Sequence, residues 1–477
     1  MKLTPKIDEK IQKLLCDKNF VFDLMNAFGS PLNIIFPENI KQNINNFQEI
    51  FKKHRIVGHI YYAHKCNKSS AIAKEALYCG INIDVASLEE LKHALSIGFV
   101  GNHIEATGPK NNEFIILGLR HNLLFNVDNL LELETIINFH KKIIKKEKTK
   151  ILIRLNDFSS ESEKFINRQS RFGISKKELS IFFQMVLDNQ DILDFVGFSF
   201  HLDTVNIKEK IIAIENIILL FDKAYELGLN PSRINIGGGF KLNYLASSKE
   251  WDASISELKE AILNNDSDIT WNHASFGLRV DNGILKGNLN LSNYYENNVK
   301  EKVLDEILSS KSSKFQNRMI GEILSENMIE LMIEPGRSLL DQVGINITKI
   351  VYTKRSLQGD LLIGLDMNRT NLLIGEQEML VDPILISKEE QEESATIGCY
   401  LLGNLCLESD LIFKHKIFFD TIPKVGDLLV FINTAGYFMD FNESKTIMQN
   451  IARKIVLTNE NNKFNCYLDE LYEPLKK

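Results

Sequence analysis

From about residue 56 to residue 336, short apolar runs alternate with longer segments of helical period, and no other feature restricts the fold as much. Eight runs read as strands: HIYYAHK (59–65), INIDVAS (81–87), HIEATG (103–108), LLFNVD (123–128), KILIRLN (150–156), FVGFSFHL (195–202), INIGGG (234–239) and ELMIEPG (330–336). Segments between them, such as NLLELETIINFHKKIIKKEK and IKEKIIAIENIILLFDKAYELG, repeat apolar residues every three or four positions, as amphipathic helices do. SSAIAKEALYCG and SLEELKHALSIG end in glycine, a common helix stop. Eight strands with intervening helices predict an α/β fold, a (β/α)8 TIM barrel, with function at the C-terminal ends of the strands.

Residues 240–329 are the longest gap in the alternation and are rich in Asn, Ser and Glu, so they read as an insertion before the last strand. Within it WNHASFGLRVDNG (271–283) is open to two readings, a substrate lid or an ordered surface excursion, and the second is the simpler. After residue 340 the texture changes to β-branched runs such as VGINITKIVYTK and DLLVFINTAG, which predict a mainly β domain. The expected division is a barrel over 36–338 with the insertion around 240–329, and a β domain built from 1–35 together with 339–477.

Bulk properties narrow the partners. A chain of 477 residues with a net charge of -7 does not suit a phosphate-neutralising grip on nucleic acid, and a small-molecule substrate fits better. Neither the start, MKLTPKIDEKIQKLL, nor any later stretch has the apolar run of a membrane span, so a cytoplasmic protein is expected. The six cysteines contain no C-x-x-C pair and the ten histidines no H-x-x-x-H, so neither a disulfide framework nor a metal site is expected.

Three clusters carry chemistry. Tyr62-Ala63-His64-Lys65-Cys66-Asn67 sets a lysine at the end of a buried-looking strand, where a structural lysine is unusual, although one can also snorkel out of a strand end. Asn235-Ile236-Gly237-Gly238-Gly239 and Glu334-Pro335-Gly336-Arg337 close the last two strands. Glycines let backbone N–H groups approach an anion and an arginine forks onto phosphate oxygens, so the pair reads as a phosphate cradle of the kind barrels build late in the chain.

With these residues in view, the chain resembles the fold-type III pyridoxal-phosphate decarboxylases, which include ornithine, diaminopimelate and arginine decarboxylases and share an alanine racemase-like barrel with a C-terminal β-barrel domain. Nine segments carry the resemblance in order: Phe28-Gly29-Ser30-Pro31-Leu32, YAHKCN, DVASLEEL, SRFGI (170–174), FHLDT (200–204), GGG, EPGRSLL, Gly403-x-x-Cys406 and Ala435-Gly436-Tyr437. The resemblance implies pyridoxal 5'-phosphate as cofactor, a Schiff base on Lys65 and loss of carbon dioxide from an amino acid. It implies that Glu334 bonds the pyridine nitrogen and that His201 stacks on the ring. Gly238, Gly239, Gly336, Arg337, Tyr437 and Thr204 would hold the phosphate, and Asp84 would support the lysine. It further implies a head-to-tail homodimer in which Cys406 enters the partner's site and reprotonates Cα, with Asp410 near the substrate.

Departures from the family pattern bear on specificity. The family's H-x-G-S is His201-Leu202-Asp203-Thr204 here, and Leu407 stands where an acidic residue reads the substrate's far end. The Arg-Pro-x-Leu-Tyr segment of the diaminopimelate branch is not recognisable, and Arg369 is a candidate replacement for its arginine. A derivatised amino acid is therefore an expected alternative to an ordinary diamino acid. Two rival readings remain at this stage, a racemase or epimerase of the same barrel and a non-catalytic cofactor-binding or regulatory homologue. The first is disfavoured by Glu334, since the racemase branch pairs the ring nitrogen with arginine, and the second by the retention of the lysine and the phosphate ligands.

Overall fold

The computed structural model describes residues 2–143, 147–158, 170–202, 206–265, 269–291, 294–372, 381–389, 396–460 and 463–475. Helices Glu9–Cys16 and Lys18–Phe28 precede strand β1 (Leu32–Ile35). The barrel then begins with β2 (Gly58–Ala63), β3 (Asn82–Val85), β4 (Ile104–Ala106), β5 (Leu124–Val127), β6 (Thr149–Arg154), β7 (Leu193–Ser199) and β8 (Arg233–Asn235). Two short hairpins follow, β9 (Leu278–Asp281) with β10 (Ile284–Gly287) and β11 (Lys311–Ser312) with β12 (Arg318–Met319), before β13 (Glu330–Ile333) closes the barrel between β8 and β2. All eight strands pair in parallel, as the alternation in the sequence predicts. The helix Leu88–Ile97 stops at Gly98 in the left-handed conformation, φ 110°, which fits its glycine ending.

Period-two alternation explains how the barrel carries a polar mouth over an apolar floor. Tyr61, Leu124, Leu152 and Met332 point inward and pack with Val196 into a plug. Two positions further along three of these strands come Asn126, Arg154 and Glu334, which face the same interior one layer higher. The outward residues between them, among them Phe125, Ile153 and Ile333, join the large core under the helices.

The stretch 240–329 is not a single insertion. Its last part, with helices Glu301–Ser309 and Ile320–Glu326, belongs to the barrel's outer ring: Val303, Leu304, Ile307, Leu308, Ile323 and Leu324 are buried in the barrel core. A helical period confined to nine residues inside an Asn-, Ser- and Glu-rich stretch was too short to stand out. The earlier part leaves the barrel. Leu242, Tyr244, Leu245 and Tyr294 pack in the core of the β domain, and Trp271 donates its backbone N–H to the Lys414 carbonyl at 2.8 Å. The segment containing 271–283 is thus an ordered excursion docked on that domain.

The remaining strands are β14 (Gly344–Arg355), β15 (Leu361–Leu365), β16 (Ile384–Ile386), β17 (Ile397–Leu402), β18 (Ile417–Phe419), β19 (Leu428–Phe431), β20 (Arg453–Glu460) and β21 (Lys463–Leu468). Together with β1 they form one nine-stranded sheet. β1 lies antiparallel to β14 and parallel to β20. No helix among the described residues is long and apolar enough to cross a membrane.

Gly197 shows how tightly the barrel is closed: at φ 157°, a Cβ there would lie 1.9 Å from the Arg233 carbonyl oxygen on the neighbouring strand. Gly197→Ala should destabilise the chain by about 2–4 kcal/mol, since backbone and not a flexible side chain must move. At Gly228, also left-handed but with nothing within 4 Å of a Cβ, alanine should cost only about 1 kcal/mol of backbone strain. Equal losses in urea unfolding of the two variants would contradict this account of the barrel seam.

Candidate active site

Lys65 lies in the single turn His64–Cys66 that follows β2, at the C-terminal end of the barrel. The turn is held from the β domain: the Cys66 carbonyl accepts from the Tyr437 N–H at 2.9 Å, Asn67 Nδ2 donates to the Ala435 carbonyl at 2.8 Å, and the Lys68 N–H donates to Asp440 at 2.9 Å. Its ammonium is 3.9 Å from Asp84 Oδ2, at the end of β3. Burial opposes the lysine's charge, but the carboxylates of Asp84 and Glu334 outweigh it and hold its pKa above the usual lysine value.

Asp84 is buried, and its Oδ1 accepts from Thr107 Oγ1 at 2.6 Å while Oδ2 has no hydrogen-bond partner. Burial raises its pKa in spite of Lys65 and the Thr107 bond. Glu334 follows β13 directly, with Oε1 accepting from Asn235 Nδ2 at 2.6 Å. Burial and the neighbouring Asp84 push its pKa up to about 7, against the pull of Lys65, Arg154 and Asn235. The same Asn235 amide donates to both oxygens of Glu105, at 2.8 and 2.9 Å, and Asn126 Nδ2 donates to Glu105 Oε1 at 2.8 Å. Glu105 is wholly buried, and burial together with Glu334 and Asp84 keeps its carboxyl well above the normal carboxylate range.

His201 lies against the glycine loop: a Cβ on Gly237 would come within 2.8 Å of its ring and one on Gly238 within 3.6 Å. Burial, reinforced by Lys65, Lys210 and Arg154, lowers its pKa to about 3, so the ring is neutral. Gly237 and Gly239 have φ of 65° and 81°, and a Cβ on Gly238 would meet the Glu334 carbonyl oxygen at 2.6 Å, so this loop requires glycine. Beside it, a Cβ on Gly336 would sit 3.2 Å from the Tyr437 hydroxyl, and the Arg337 guanidinium lies 5.4 Å from the Tyr437 ring centre. The backbone N–H groups of Gly238, Gly239, Gly336 and Arg337 donate to no described residue, and among those residues no carboxylate pairs with Arg337. Free amides beside an uncompensated guanidinium suit a phosphate. Thr204 and Asp203 lie outside the described residues.

Cys406, Asp410 and Arg369 form a separate group on the β domain, joined to Lys65 by no hydrogen bond or ion pair among the described residues. Cys406 is exposed. Asp410 is buried, with Oδ1 accepting from the Arg369 N–H at 2.9 Å and Oδ2 from the Leu405 N–H at 2.8 Å. Its carboxylate therefore shapes the loop that presents Cys406. Arg369 Nη1 donates to the Ser409 carbonyl at 3.1 Å, which ties this side chain to the same loop.

Sequence reasoning missed Glu105, Arg154 and Lys210. Glu105 and Arg154 had a signal: each is a charged residue facing into the barrel from a strand whose neighbouring residues are buried and apolar. Lys210 had none, because a lysine in the first turn of a helix rich in Glu and Lys reads as solvated.

Residues 38–274 match the family model for the pyridoxal-binding domain of pyridoxal-dependent decarboxylases. The uncharacterized protein y4yA of Sinorhizobium fredii is 27% identical over 441 residues, covering 89% of this chain and 87% of that protein. Diaminopimelate decarboxylase of Staphylococcus aureus is 22% identical with the same coverage of both chains. The crystal structure of diaminopimelate decarboxylase from M. jannaschii in co-complex with L-lysine superposes with a TM-score of 0.69 at 20% identity, covering 94% of this chain and 91% of that one, which establishes the shared fold. With a matching pyridoxal-binding domain, a closed parallel barrel and a mainly β partner domain, the chain belongs to the fold-type III pyridoxal-phosphate-dependent decarboxylases.

Proposed function

We propose that this chain decarboxylates an amino acid with pyridoxal 5'-phosphate carried on Lys65. The observation that supports this most is the convergence at one barrel mouth of a lysine amine, a buried carboxyl at 334 and a cradle of free amides beside Arg337. When bound, the cofactor supplies a conjugated electron sink for the pair left behind as carbon dioxide departs. Glu334 would bond the ring nitrogen, the neutral His201 would lie against the ring face, and Gly238, Gly239, Gly336, Arg337, Tyr437 and Thr204 would hold the phosphate. Asp84 orients the Lys65 amine.

Cys406 enters the mouth of a partner copy in a head-to-tail homodimer and returns a proton to Cα. Supporting this, the exposed Cys406 loop is flanked by exposed apolar side chains, Leu407, Ile447, Met448 and Ile451, and Gln449 Nε2 donates to the Asn404 carbonyl at 3.2 Å. Arg369 and Asp410 complete that loop on the substrate side. Leu407 offers no charge to a distal ammonium, so the favoured substrate is an amino acid whose far end is neutral or derivatised. A cytoplasmic location is consistent with six free cysteines.

Lys65→Ala should abolish both the visible absorbance of the loaded protein and release of labelled carbon dioxide. Mixed with Cys406→Ala, which retains the lysine, it should recover up to about a quarter of wild-type activity through heterodimers with one intact site. No recovery in a verified heterodimer would count against shared sites, and loss of optical rotation without carbon dioxide would favour the racemase reading.

In the protein without cofactor, Glu334 stays protonated up to about pH 7 when folded but only to about 4.3 when unfolded. The folded chain thus holds more protons between these values, and stability falls as pH rises through that window. Glu334→Gln should remove part of this fall, on the order of 1–3 kcal/mol. An unchanged pH slope in denaturant unfolding would show that Glu334 is ionised throughout.

For specificity, Leu407→Glu should raise kcat/KM for free diamino acids roughly tenfold relative to side-chain-acylated analogues. A wild-type chain that already prefers the free diamino acids would overturn the assignment of Leu407.

A further inference from the structure

Lys210 sits where folding alone would not put it. In the helix Ile207–Glu226 it shares the buried face with Ala213, Ile214, Ile217, Ile218 and Phe221, and only 1% of it is exposed. An ammonium in such a place costs several kcal/mol unless it is compensated, and an apolar side chain would serve packing better. No carboxylate among the described residues lies within ion-pair distance of it. Among the described residues its polar partners are the Gly238 carbonyl, which accepts a hydrogen bond from Nζ, and the Phe240 ring, 5.2 Å to the centroid. Burial lowers its pKa to about 8, against the pull of Glu334, which leaves it mainly charged at neutral pH.

The hydrogen bond determines the orientation of one peptide plane. In a trans peptide the carbonyl and the next N–H point in opposite directions. With the Gly238 carbonyl drawn toward the buried ammonium, the N–H of Gly239 is turned the other way, and Gly239 is exposed with no described acceptor.

We propose that Lys210 is a positioning residue of the phosphate cradle: it fixes the Gly238–Gly239 peptide so that the Gly239 N–H faces the phosphate, and it adds a second positive charge to that of Arg337 opposite a dianion. This rests on the reading of the glycine loop as the phosphate site given above.

The test compares pyridoxal 5'-phosphate with pyridoxal, which lacks the phosphate, by titrating the cofactor-free protein and reading the absorbance of the bound form. Lys210→Met should reduce the preference for the phosphorylated ligand at least tenfold while leaving pyridoxal affinity within twofold. Lys210→Gln, which keeps a donor for Gly238 but no charge, should show a smaller loss in the same direction, and it carries the test alone if the methionine variant does not fold. Inorganic phosphate should raise the melting temperature of the cofactor-free wild type more than that of either variant. A folded variant that keeps the full preference overturns the proposal, as does a parallel loss of both ligands. A wild type that does not discriminate between the two ligands would instead bring down the cradle reading and this inference with it, whereas loss of the absorbance only in Lys65→Ala, with discrimination intact, leaves the cradle standing.

Discussion

Asp84, Glu105 and Glu334 lie on three strands of one barrel with almost no access to water, and three ionised carboxylates in so poor a dielectric would repel one another strongly. The rest of the mouth is arranged around that difficulty. Burial raises the Glu105 carboxyl, the Asn235 amide bridges Glu105 and Glu334, and the cations of Lys65 and Arg154 draw Asp84 and Glu334 toward ionisation. The balance of these effects pushes the Glu334 pKa up to about 7.

The barrel was legible because each buried strand leaves a short apolar run and each outer helix leaves a 3.6-residue stripe. Lys65, Glu334 and the glycine loop were legible because they interrupt those runs at strand ends. Glu105 left a weaker trace in HIEATG, a single acid between the apolar Ile104 and Ala106, which marks the position as unusual without naming its partners Asn126 and Asn235. Lys210 was hidden by its neighbours Lys208 and Glu209, and only the tertiary structure distinguishes a buried member of such a run from a solvated one. Asp410 shows the opposite case. Its place four residues after Cys406 was legible, whereas the two loop amides that its oxygens accept from were not.

The β domain meets the barrel both at the C-terminal ends of its strands and along an outer helix, where Tyr472 donates to Glu75 at 2.9 Å. The turn that carries Lys65 bonds to Ala435, Tyr437 and Asp440, so the lysine's position depends on both domains. A rigid join of this kind suits chemistry in which an amine and a phosphate site on different elements must keep a fixed distance.

Strand β1 is made early and completed late. Its neighbours are β14, some 310 residues further along the chain, and β20, about 420 residues away. On the ribosome the whole barrel emerges while Leu32–Ile35 still lacks both flanks, so an apolar edge waits through most of synthesis. Most of the barrel's core is thus synthesised before β1 can be flanked, and the bonds that hold the lysine's turn become available only once residues 435–440 have been made.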